Sequence, residues 1–277
     1  MLPAPVLSSI KQEILPAITG KQQDFDLTSI GGGSINQCYR LRLKDGSNFF
    51  LKVNELSPYP ALFEKEKEGL YALRPFFRTP TVLACTAVEG WQLLLMEWID
   101  TGIRTDQCWK QFGEQLAHLH SQKGERNGWM ESNYIGSLVQ DNTPSESWVD
   151  FFRERRLKPL VARNAAAGRL HPSQQKSFDK VYDRLPSVFG DERPSLLHGD
   201  LWSGNFLFDN NSTSVLLDPA VYYGHPSMDL AMTTLFGGFD RRFYEAYQHH
   251  LSLPSNYREQ WEICNLYPLL VHLTLFG

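Results

Sequence analysis

Three oxygen-bearing side chains stand at defined spacings in the last third of the chain. Asp200 precedes Asn205 by five residues, and Asp218 follows after a further apolar segment. One carboxylate can orient an alcohol and accept its proton, while a second carboxylate and an amide oxygen are suitable ligands for Mg²⁺. Such a set can deprotonate an alcohol beside a bound Mg²⁺, which is the chemistry that transfer of a phosphoryl group to a hydroxyl group requires.

Lys52 and Glu66 form a candidate ion pair in the first third of the chain. Alternate apolar residues of the predicted strand 48–53 share one face, which leaves Lys52 on the opposite face. In the predicted helix 62–74, Glu66 completes a stripe of apolar residues. Because burial of an unpaired carboxylate is costly, we expect Glu66 to pair with Lys52.

The elements that must position these residues predict an α+β protein with two lobes. Residues 26–54 have the pattern strand, glycine turn, strand, Asp-Gly turn and strand, and a further antiparallel pair ends at Ile99. The pattern then becomes helical, so we place an N-terminal lobe at residues 1–98 and a C-terminal lobe at residues 99–277.

Later elements are predicted from helical spacing and from one polar turn. An Asn-Asn-Ser-Thr-Ser turn between two apolar strands predicts a hairpin between Asn205 and Asp218.

We interpret His118 and His120 as helix-surface or packing residues, and the arginines within 151–156 as part of a solvated helix face. Helices are predicted around residues 8–15, 62–74, 105–121, 147–167, 173–185, 226–235, 241–251 and 257–276.

Composition and charge narrow the class of function. The chain has 277 residues, 42% of them hydrophobic and 21% charged, with a net charge of −4. This profile is typical of a globular protein and lacks the basic excess that attracts nucleic acid or anionic lipid. Apolar runs are too short for a membrane span, the N-terminus lacks a secretion-signal pattern, and the four cysteines form no metal spacing. We therefore expect a cytoplasmic protein without nucleic-acid or membrane partners, whose oligomeric state the sequence does not predict.

The motif around Asp200 resembles a known catalytic loop. Leu197-His-Gly-Asp-Leu-Trp-Ser-Gly-Asn205 has the spacing of the protein-kinase motif H-R-D-x-x-x-x-N, and Asp218 takes the place of the acid of D-F-G. More closely, the chain from Gly31 to its end resembles the fructosamine kinase family. Further matching motifs are Lys-Val-Asn from Lys52, Phe-Glu-Lys-Glu from Phe63, Asn-Tyr-Ile-Gly from Asn133, Phe-Phe-Arg-Glu-Arg from Phe151, Asp-Pro-Ala from Asp218, Tyr-Gly-His from Tyr223, and the stretch from Asp229 to Phe239.

This resemblance implies a protein-kinase-like fold that binds ATP and Mg²⁺. The N-terminal lobe would be a small antiparallel sheet with one key helix that binds the nucleotide, and the larger helical lobe would hold the catalytic residues. The implied substrate is a small-molecule or protein-bound ketoamine formed by glycation, phosphorylated on its 3-hydroxyl group. Breakdown of the 3-phosphate would then free the amine, which implies a repair function.

The resemblance also implies individual roles. Asp200 would be the base, Asn205 and Asp218 the Mg²⁺ ligands, and Lys52, oriented by Glu66, would contact the α- and β-phosphates. The loop of Gly31, Gly32, Gly33, Ser34, Ile35 and Asn36 would form a lid over the phosphates, and the backbone of Glu97, Trp98 and Ile99 would bind adenine. Trp202 would form an apolar wall for the substrate. His198 and Asp229 would brace the catalytic loop.

Two other functions compete with the ketoamine kinase. An aminoglycoside, choline or homoserine phosphotransferase shares the His-Gly-Asp arrangement, but Leu-Trp-Ser-Gly within the loop favours the ketoamine kinase. A non-catalytic kinase-like binding module is disfavoured because the lysine, the base and the metal ligands are all kept. The chain departs from the family pattern at two places. Ser34 occupies the position at which some family members carry an oxidisable cysteine. The sequence ends at Gly277, whereas relatives continue for a further helical segment.

Overall fold

An antiparallel sheet of five strands forms the centre of the first part of the chain. The computed structural model describes residues 2–31 and 35–277. The strand order is β1-β2-β3-β5-β4, and the predicted Asp-Gly turn between β2 and β3 is confirmed, with Gly46 at φ +92°. The strands are β1 (Phe25–Ser29), β2 (Gln37–Leu43), β3 (Asn48–Glu55), β4 (Val82–Val88) and β5 (Trp91–Glu97).

A helical segment covers one face of this sheet. It comprises α1 (Ala4–Ser9), a π-helical turn (Ile10–Ile14) and α2 (Leu15–Thr19), and Gly20 ends it in the left-handed conformation. Its buried side chains pack against alternate residues of β3, including Leu51 and Val53. The helix is longer than predicted because Pro at a first-turn position and apolar residues before Ser8 are compatible with helix.

Helices dominate the remaining part of the chain. The helix α3 (Leu62–Leu73) follows the sheet's third strand, and α4 (Asp106–His120) begins after Thr105, whose hydroxyl accepts from the N–H of Cys108. Further helices are α5 (Trp148–Phe151), a π-helical turn (Phe152–Leu157), α6 (Lys158–Ala166), α7 (Pro172–Val188), α8 (Ser227–Leu235), α9 (Arg241–His250), α10 (Tyr257–Cys264) and α11 (Leu266–Phe276).

Short strand pairs connect these helices. The predicted hairpin before Asp218 is confirmed, because β9 pairs antiparallel with β10. The pairing of β8 with β11 joins segments far apart in sequence and was not predicted. The short strands are β6 (Asn133–Ile135), β7 (Leu138–Gln140), β8 (Ser195–Leu197), β9 (Phe206–Phe208), β10 (Ser214–Leu216) and β11 (Tyr222–Gly224).

The prediction that the arginines of 151–156 lie on a solvated face is wrong for Arg156. Its side chain is fully buried, and its guanidinium lies 4.5 Å from the ring centroid of Phe151 and 4.4 Å from that of Tyr222. Arg156 follows Phe152 by four residues, so the two share a buried helix face. Aromatic rings and backbone oxygens replace the water that an arginine usually needs.

Packing divides the chain into two units. The first comprises Met1–Glu68 and Thr79–Asp100, and the second comprises Gly69–Arg78 and Thr101–Gly277. The predicted fold class is confirmed, with an antiparallel sheet in the first unit and a mainly helical second unit. The division into functional lobes at residues 98 and 99 stays a prediction. Within the described part of the chain, every helix is too short or too polar to cross a bilayer.

Candidate active site

The loop that follows β8 brings Asp200 and Asn205 together. The side-chain amide of Asn205 donates to the carbonyl oxygen of Asp200 (2.9 Å) and to its carboxylate Oδ2 (2.8 Å). Backbone hydrogen bonds from Trp202 N to Asp200 O and from Asn205 N to Trp202 O close the turn between them. The five-residue spacing therefore corresponds to a compact loop that fixes one oxygen of the Asp200 carboxylate.

Asp229, on α8, braces this loop from its buried side. Its carboxylate accepts hydrogen bonds from the backbone N–H groups of His198 (2.7 Å) and Gly199 (2.9 Å), and from His120 Nε2 (3.2 Å). Burial alone would favour the neutral acid, but the hydrogen bonds from His120 and Gly199 outweigh it and lower the pKa of Asp229. His120 also contacts the hydroxyl of Tyr247 (2.9 Å), so two helices hold the brace in place.

His198 connects the loop to the segment that carries Asp218. Its Nε2 donates to the carbonyl of Leu217 (2.9 Å), and its Nδ1 accepts from the N–H of Asp200 (3.2 Å). These two contacts require the neutral tautomer, and burial lowers the pKa of His198 accordingly. The N–H of Leu217 donates to the carbonyl of Asn205 (2.9 Å), which brings the backbone of Asn205 and the Asp218 segment together.

Asp218 has an unusual backbone conformation. It lies at φ +50°, in the left-handed region that few non-glycine residues occupy, and its side chain is exposed. Such conformations persist where neighbouring contacts hold the backbone, and they occur often at functional sites. The residues on either side are held by His198, since Ala220 N donates to His198 O (2.9 Å).

The surroundings of Asp200 favour its protonated form. Desolvation raises the pKa of this carboxyl to about 7, the hydrogen bond from Asn205 opposes the rise, and the negative charges of Asp218 and Asp229 add to it. A cation bound beside Asp200 would lower this pKa. The geometry thus provides a carboxyl group whose protonation responds to a neighbouring charge.

Gly199 allows the loop to approach the Asp218 segment. It lies at φ +84°, and a Cβ there would sit 2.0 Å from the carbonyl oxygen of Ala220. Gly168 also has a positive φ, at +70°, but a Cβ there would meet no atom within 4 Å. A side chain at either position would have to adopt a left-handed backbone, but only a side chain at Gly199 would also overlap with another atom.

Replacement of Gly199 by alanine is expected to destabilise the chain more than replacement of Gly168. The left-handed backbone should cost each variant ~1–2 kcal/mol. Overlap with the carbonyl of Ala220 should add a further ~1–3 kcal/mol at Gly199. Thermal and urea unfolding of both variants would measure the difference, and equal losses would contradict this packing explanation.

In the first unit, Lys52 and Glu66 form the expected ion pair. Lys52 Nζ lies 2.7 Å from Glu66 Oε1, and the lysine side chain is only 2% exposed. Lys52 is on β3 and Glu66 is on α3, so the period of two in the strand and the stripe on the helix bring both charges to one place. A buried ion pair of this kind fixes the ammonium group of Lys52 in one direction.

Other predicted nucleotide-binding residues lie on two connections of the first unit. The side-chain amide of Asn54 donates to Ile35 O (3.3 Å) and Asn36 Oδ1 (2.7 Å). Among the described residues, none hydrogen-bonds to the backbone of Trp98 or Ile99, which follow β5 and Glu97. Gly32, Gly33 and Ser34 lie outside the described residues.

Trp202 forms part of an aromatic surface in the second unit. Its half-buried ring lies 5.5 Å from that of Phe236 in an edge-to-face arrangement. Phe236 in turn lies 4.9 Å from the ring of His272. Gly204 fits against Trp202 because a Cβ there would come within 2.3 Å of the indole ring. The loop therefore carries an apolar side chain, Trp202, two residues after Asp200.

Three residues whose side chains hydrogen-bond to other segments of the fold were not identified from the sequence. His120 was assigned to the helix surface or to packing, Arg156 to a solvated helix face, and Asn54 was noted only as part of a motif. Asn54 follows Lys52 by two residues on β3, so its side chain lies on the same face of the strand, and this spacing could have indicated its function. The contacts of His120 and Arg156 are long-range, and the local sequence carries no signal for them.

Comparisons with known proteins find relatives that match most of the chain. A family model described as fructosamine kinase matches residues 7–277. A protein from Enterococcus faecium named a probable ketoamine kinase is 37% identical over 248 residues, which cover 89% of this chain and 88% of that protein. The chloroplastic protein-ribulosamine 3-kinase of Arabidopsis thaliana is 36% identical over 262 residues, covering 90% and 77%. A crystal structure from Thermobifida fusca, provisionally named a fructosamine-3-kinase, is similar with a TM-score of 0.85 and 34% identity, covering 98% and 93%.

Proposed function

The chain belongs to the fructosamine kinase family, and from that premise we propose that it transfers the γ-phosphoryl group of ATP to the 3-hydroxyl group of ketoamines. The observation that carries the proposal is the hydrogen-bonded pair of Asp200 and Asn205, which holds a carboxylate in a defined orientation. The name of the Arabidopsis relative supports a ribulosamine or a similar sugar amine as the acceptor.

Asp200 is the proton acceptor in this reaction. Its Oδ2 is held by Asn205, and no described residue hydrogen-bonds its Oδ1, which can therefore receive the substrate hydroxyl. A base works best when its pKa lies near the working pH, because it must be ionised and still basic. The raised pKa of Asp200 supports this role, and a cation bound nearby would favour the ionised form that accepts the proton.

The residues present fit Mg²⁺. Both N–H groups of the Asn205 side chain are used by Asp200, so its remaining polar atom is Oδ1, and Asp218 contributes an exposed carboxylate. These are hard oxygen ligands of the kind that Mg²⁺ prefers. Residues 2–31 and 35–277 contain no cluster of three His, Cys, Asp or Glu side chains placed to bind a metal, which suits an ion that takes its other ligands from phosphates and water. When bound, Mg²⁺ supplies positive charge that neutralises the β- and γ-phosphates.

The first unit binds the nucleotide in this proposal. Lys52, held by Glu66, contacts the α- and β-phosphates, and its buried ammonium is directed by the ion pair rather than by solvent. The backbone groups of Trp98 and Ile99 are available to adenine. Asn54 holds the described end of the phosphate loop, at Ile35 and Asn36.

The acceptor binds to the aromatic surface of Trp202 and Phe236. Apolar ring faces suit the carbon skeleton of a sugar, and the protonated amine of a ketoamine can be attracted to an aromatic ring. We propose both small and protein-bound ketoamines as substrates and the cytoplasm as the compartment. In this view, phosphorylation at the 3-hydroxyl leads to breakdown of the adduct and release of the amine.

A substrate panel tests the proposed function. Purified protein with Mg²⁺ and ATP is expected to release ADP with ribulose- or fructose-modified lysine at a kcat/KM at least about a hundredfold above that with kanamycin, choline or homoserine. Coupled ADP detection measures the rates, and unmodified lysine is the control. Preference for kanamycin or choline would contradict the ketoamine assignment, and absence of ADP release with every acceptor would favour a binding module.

A further inference from the structure

The hairpin of β6 and β7 turns two buried amides toward the segment that follows Asp218. Asn133 is directly opposite Gln140 in the register of the hairpin. The alternation of the strands places both with the buried Ile135 and Leu138. Buried amides must be hydrogen-bonded to offset the loss of water. This hairpin contains the Asn-Tyr-Ile-Gly motif, for which the proposed function supplies no role.

Both amides donate to the backbone just after Pro219. Asn133 Nδ2 donates to the carbonyl of Val221 (2.8 Å), and Gln140 Nε2 donates to the carbonyl of Ala220 (3.1 Å). The hydroxyl of Tyr267 donates to Gln140 Oε1 (2.9 Å) and holds that side chain from the other side. The hairpin therefore fixes two consecutive carbonyl groups, two and three residues after Asp218.

A buried cation stands at the far end of this network. Arg156 Nη2 donates to Asn142 Oδ1 (2.6 Å), and Asn142 Nδ2 donates to Asn133 Oδ1 (3.0 Å). Arg156 also donates to the backbone carbonyl of Asp141. Within the described ranges, no carboxylate hydrogen-bonds its guanidinium, which is surrounded by aromatic rings.

The cation determines the direction of the whole chain of hydrogen bonds. Arginine can only donate, so Asn142 must turn its oxygen to Arg156 and its N–H groups to Asn133. Asn133 then receives that bond on its oxygen and directs its N–H groups to the carbonyl of Val221, which can only accept. Reversal of either amide would place two donors or two acceptors against each other, so only this orientation of Asn142 and Asn133 lets both amides form these hydrogen bonds.

Asp218 needs such anchors because of its backbone conformation. A non-glycine residue at φ +50° is maintained only where its neighbours are fixed. On its N-terminal side, Leu217 is held by Asn205 and His198. On its C-terminal side, the anchors are Ala220 N to His198 and the two carbonyls held by the hairpin.

We propose that Asn133, Gln140 and Arg156 are positioning residues that set the orientation of the Asp218 carboxylate toward its metal. This inference rests on the proposed function, because it assigns Asp218 as a ligand of Mg²⁺. The three residues act through the backbone of residues 219–221. Partners that orient a metal ligand typically contribute strongly to metal affinity without touching the metal.

The experiment compares Asn133→Ala and Tyr267→Phe with Asn164→Ala. Asn164 is equally buried, and its amide donates to Leu270 O (3.2 Å) and Thr274 Oγ1 (2.8 Å), away from the Asp218 segment. Binding of AMP-PNP is titrated at increasing Mg²⁺ and again in EDTA. Hydrogen exchange of residues 217–222 is measured by mass spectrometry in the ligand-free chain.

For Asn133→Ala we expect an increase of about tenfold in the Mg²⁺ concentration needed for AMP-PNP binding. Affinity in EDTA should not change, and residues 217–222 should exchange faster. Tyr267→Phe should act in the same direction with a smaller effect, and it decides the question if Asn133→Ala does not fold. Asn164→Ala should lower the midpoint of thermal unfolding but leave the Mg²⁺ dependence and the exchange as in the wild type.

Two outcomes would overturn the positioning role. One is wild-type Mg²⁺ dependence and exchange in a folded Asn133→Ala or Tyr267→Phe variant, and the other is an equal change in Asn164→Ala. If the wild-type chain binds AMP-PNP without any dependence on Mg²⁺, the assignment of Asn205 and Asp218 as Mg²⁺ ligands in the proposed function is wrong, whatever the variants show. Hydrogen exchange is measured without a ligand, so it shows independently whether the hairpin of β6 and β7 stabilises residues 217–222.

Discussion

Replacement of Asp200 by alanine is expected to lower kcat by about a hundredfold or more, while nucleotide affinity stays close to that of the wild type. Asn205 holds this carboxylate in place for proton transfer, whereas nucleotide binding is assigned to Lys52 and to the backbone of Trp98 and Ile99. The loss should therefore appear in the chemical step rather than in ATP binding.

The Asp200→Asn variant makes this prediction sharper. Its carbonyl oxygen can still accept the hydrogen bond from Asn205, so the loop should keep its shape while the base is lost. Asp183, on the exposed face of α7, provides the control Asp183→Ala, which should keep full turnover. Turnover is measured with the preferred ketoamine and nucleotide binding by calorimetry. Wild-type kcat in Asp200→Asn would remove this residue from the mechanism.

Replacement of Asp218 by alanine is expected to abolish the gain in nucleotide affinity that Mg²⁺ provides, a loss of more than about a hundredfold at saturating metal. The physical reason is the removal of the only carboxylate in the proposed ligand set, since Asn205 offers a neutral oxygen. Affinity for metal-free nucleotide should be unchanged or slightly higher, because a negative charge near the phosphates is gone.

The conformation of Asp218 requires a second variant. Alanine is less tolerant than aspartate of φ +50°, so part of the loss in Asp218→Ala could come from the backbone. Asparagine adopts this region readily, so Asp218→Asn separates charge from conformation. Titration of AMP-PNP with Mg²⁺ and with EDTA measures both variants. If Asp218→Asn keeps the wild-type response to Mg²⁺, the carboxylate is not a metal ligand.

Most of the secondary structure could be predicted from the sequence because its determinants are local. The Asp-Gly turn at Gly46 and the polar turn between β9 and β10 specify hairpins over a few residues. The spacing of Asp200 and Asn205 specifies a loop that closes on itself by hydrogen bonds within six residues. The ion pair of Lys52 and Glu66 followed from the periods of one strand and one helix.

The supports of the site could not be predicted in the same way. His120 reaches Asp229 across more than a hundred positions of sequence, and Asn133 reaches Val221 across nearly ninety. Arg156 was predicted to be solvent-exposed because burial of its charge is costly. In the folded chain, aromatic rings and an amide oxygen surround the guanidinium and offset that cost.

By itself, then, the sequence predicted which residues carry out phosphoryl transfer and determined most of the short elements on which they lie. Only the tertiary structure decided how those residues are held: Asp229 beneath the loop, His198 between Asp200 and Leu217, and the hairpin of Asn133 behind the Asp218 segment. The reason is physical. Local periodicity and turn chemistry act between neighbours in the chain, whereas a buried polar group is satisfied by whichever donor or acceptor the folded chain brings to it.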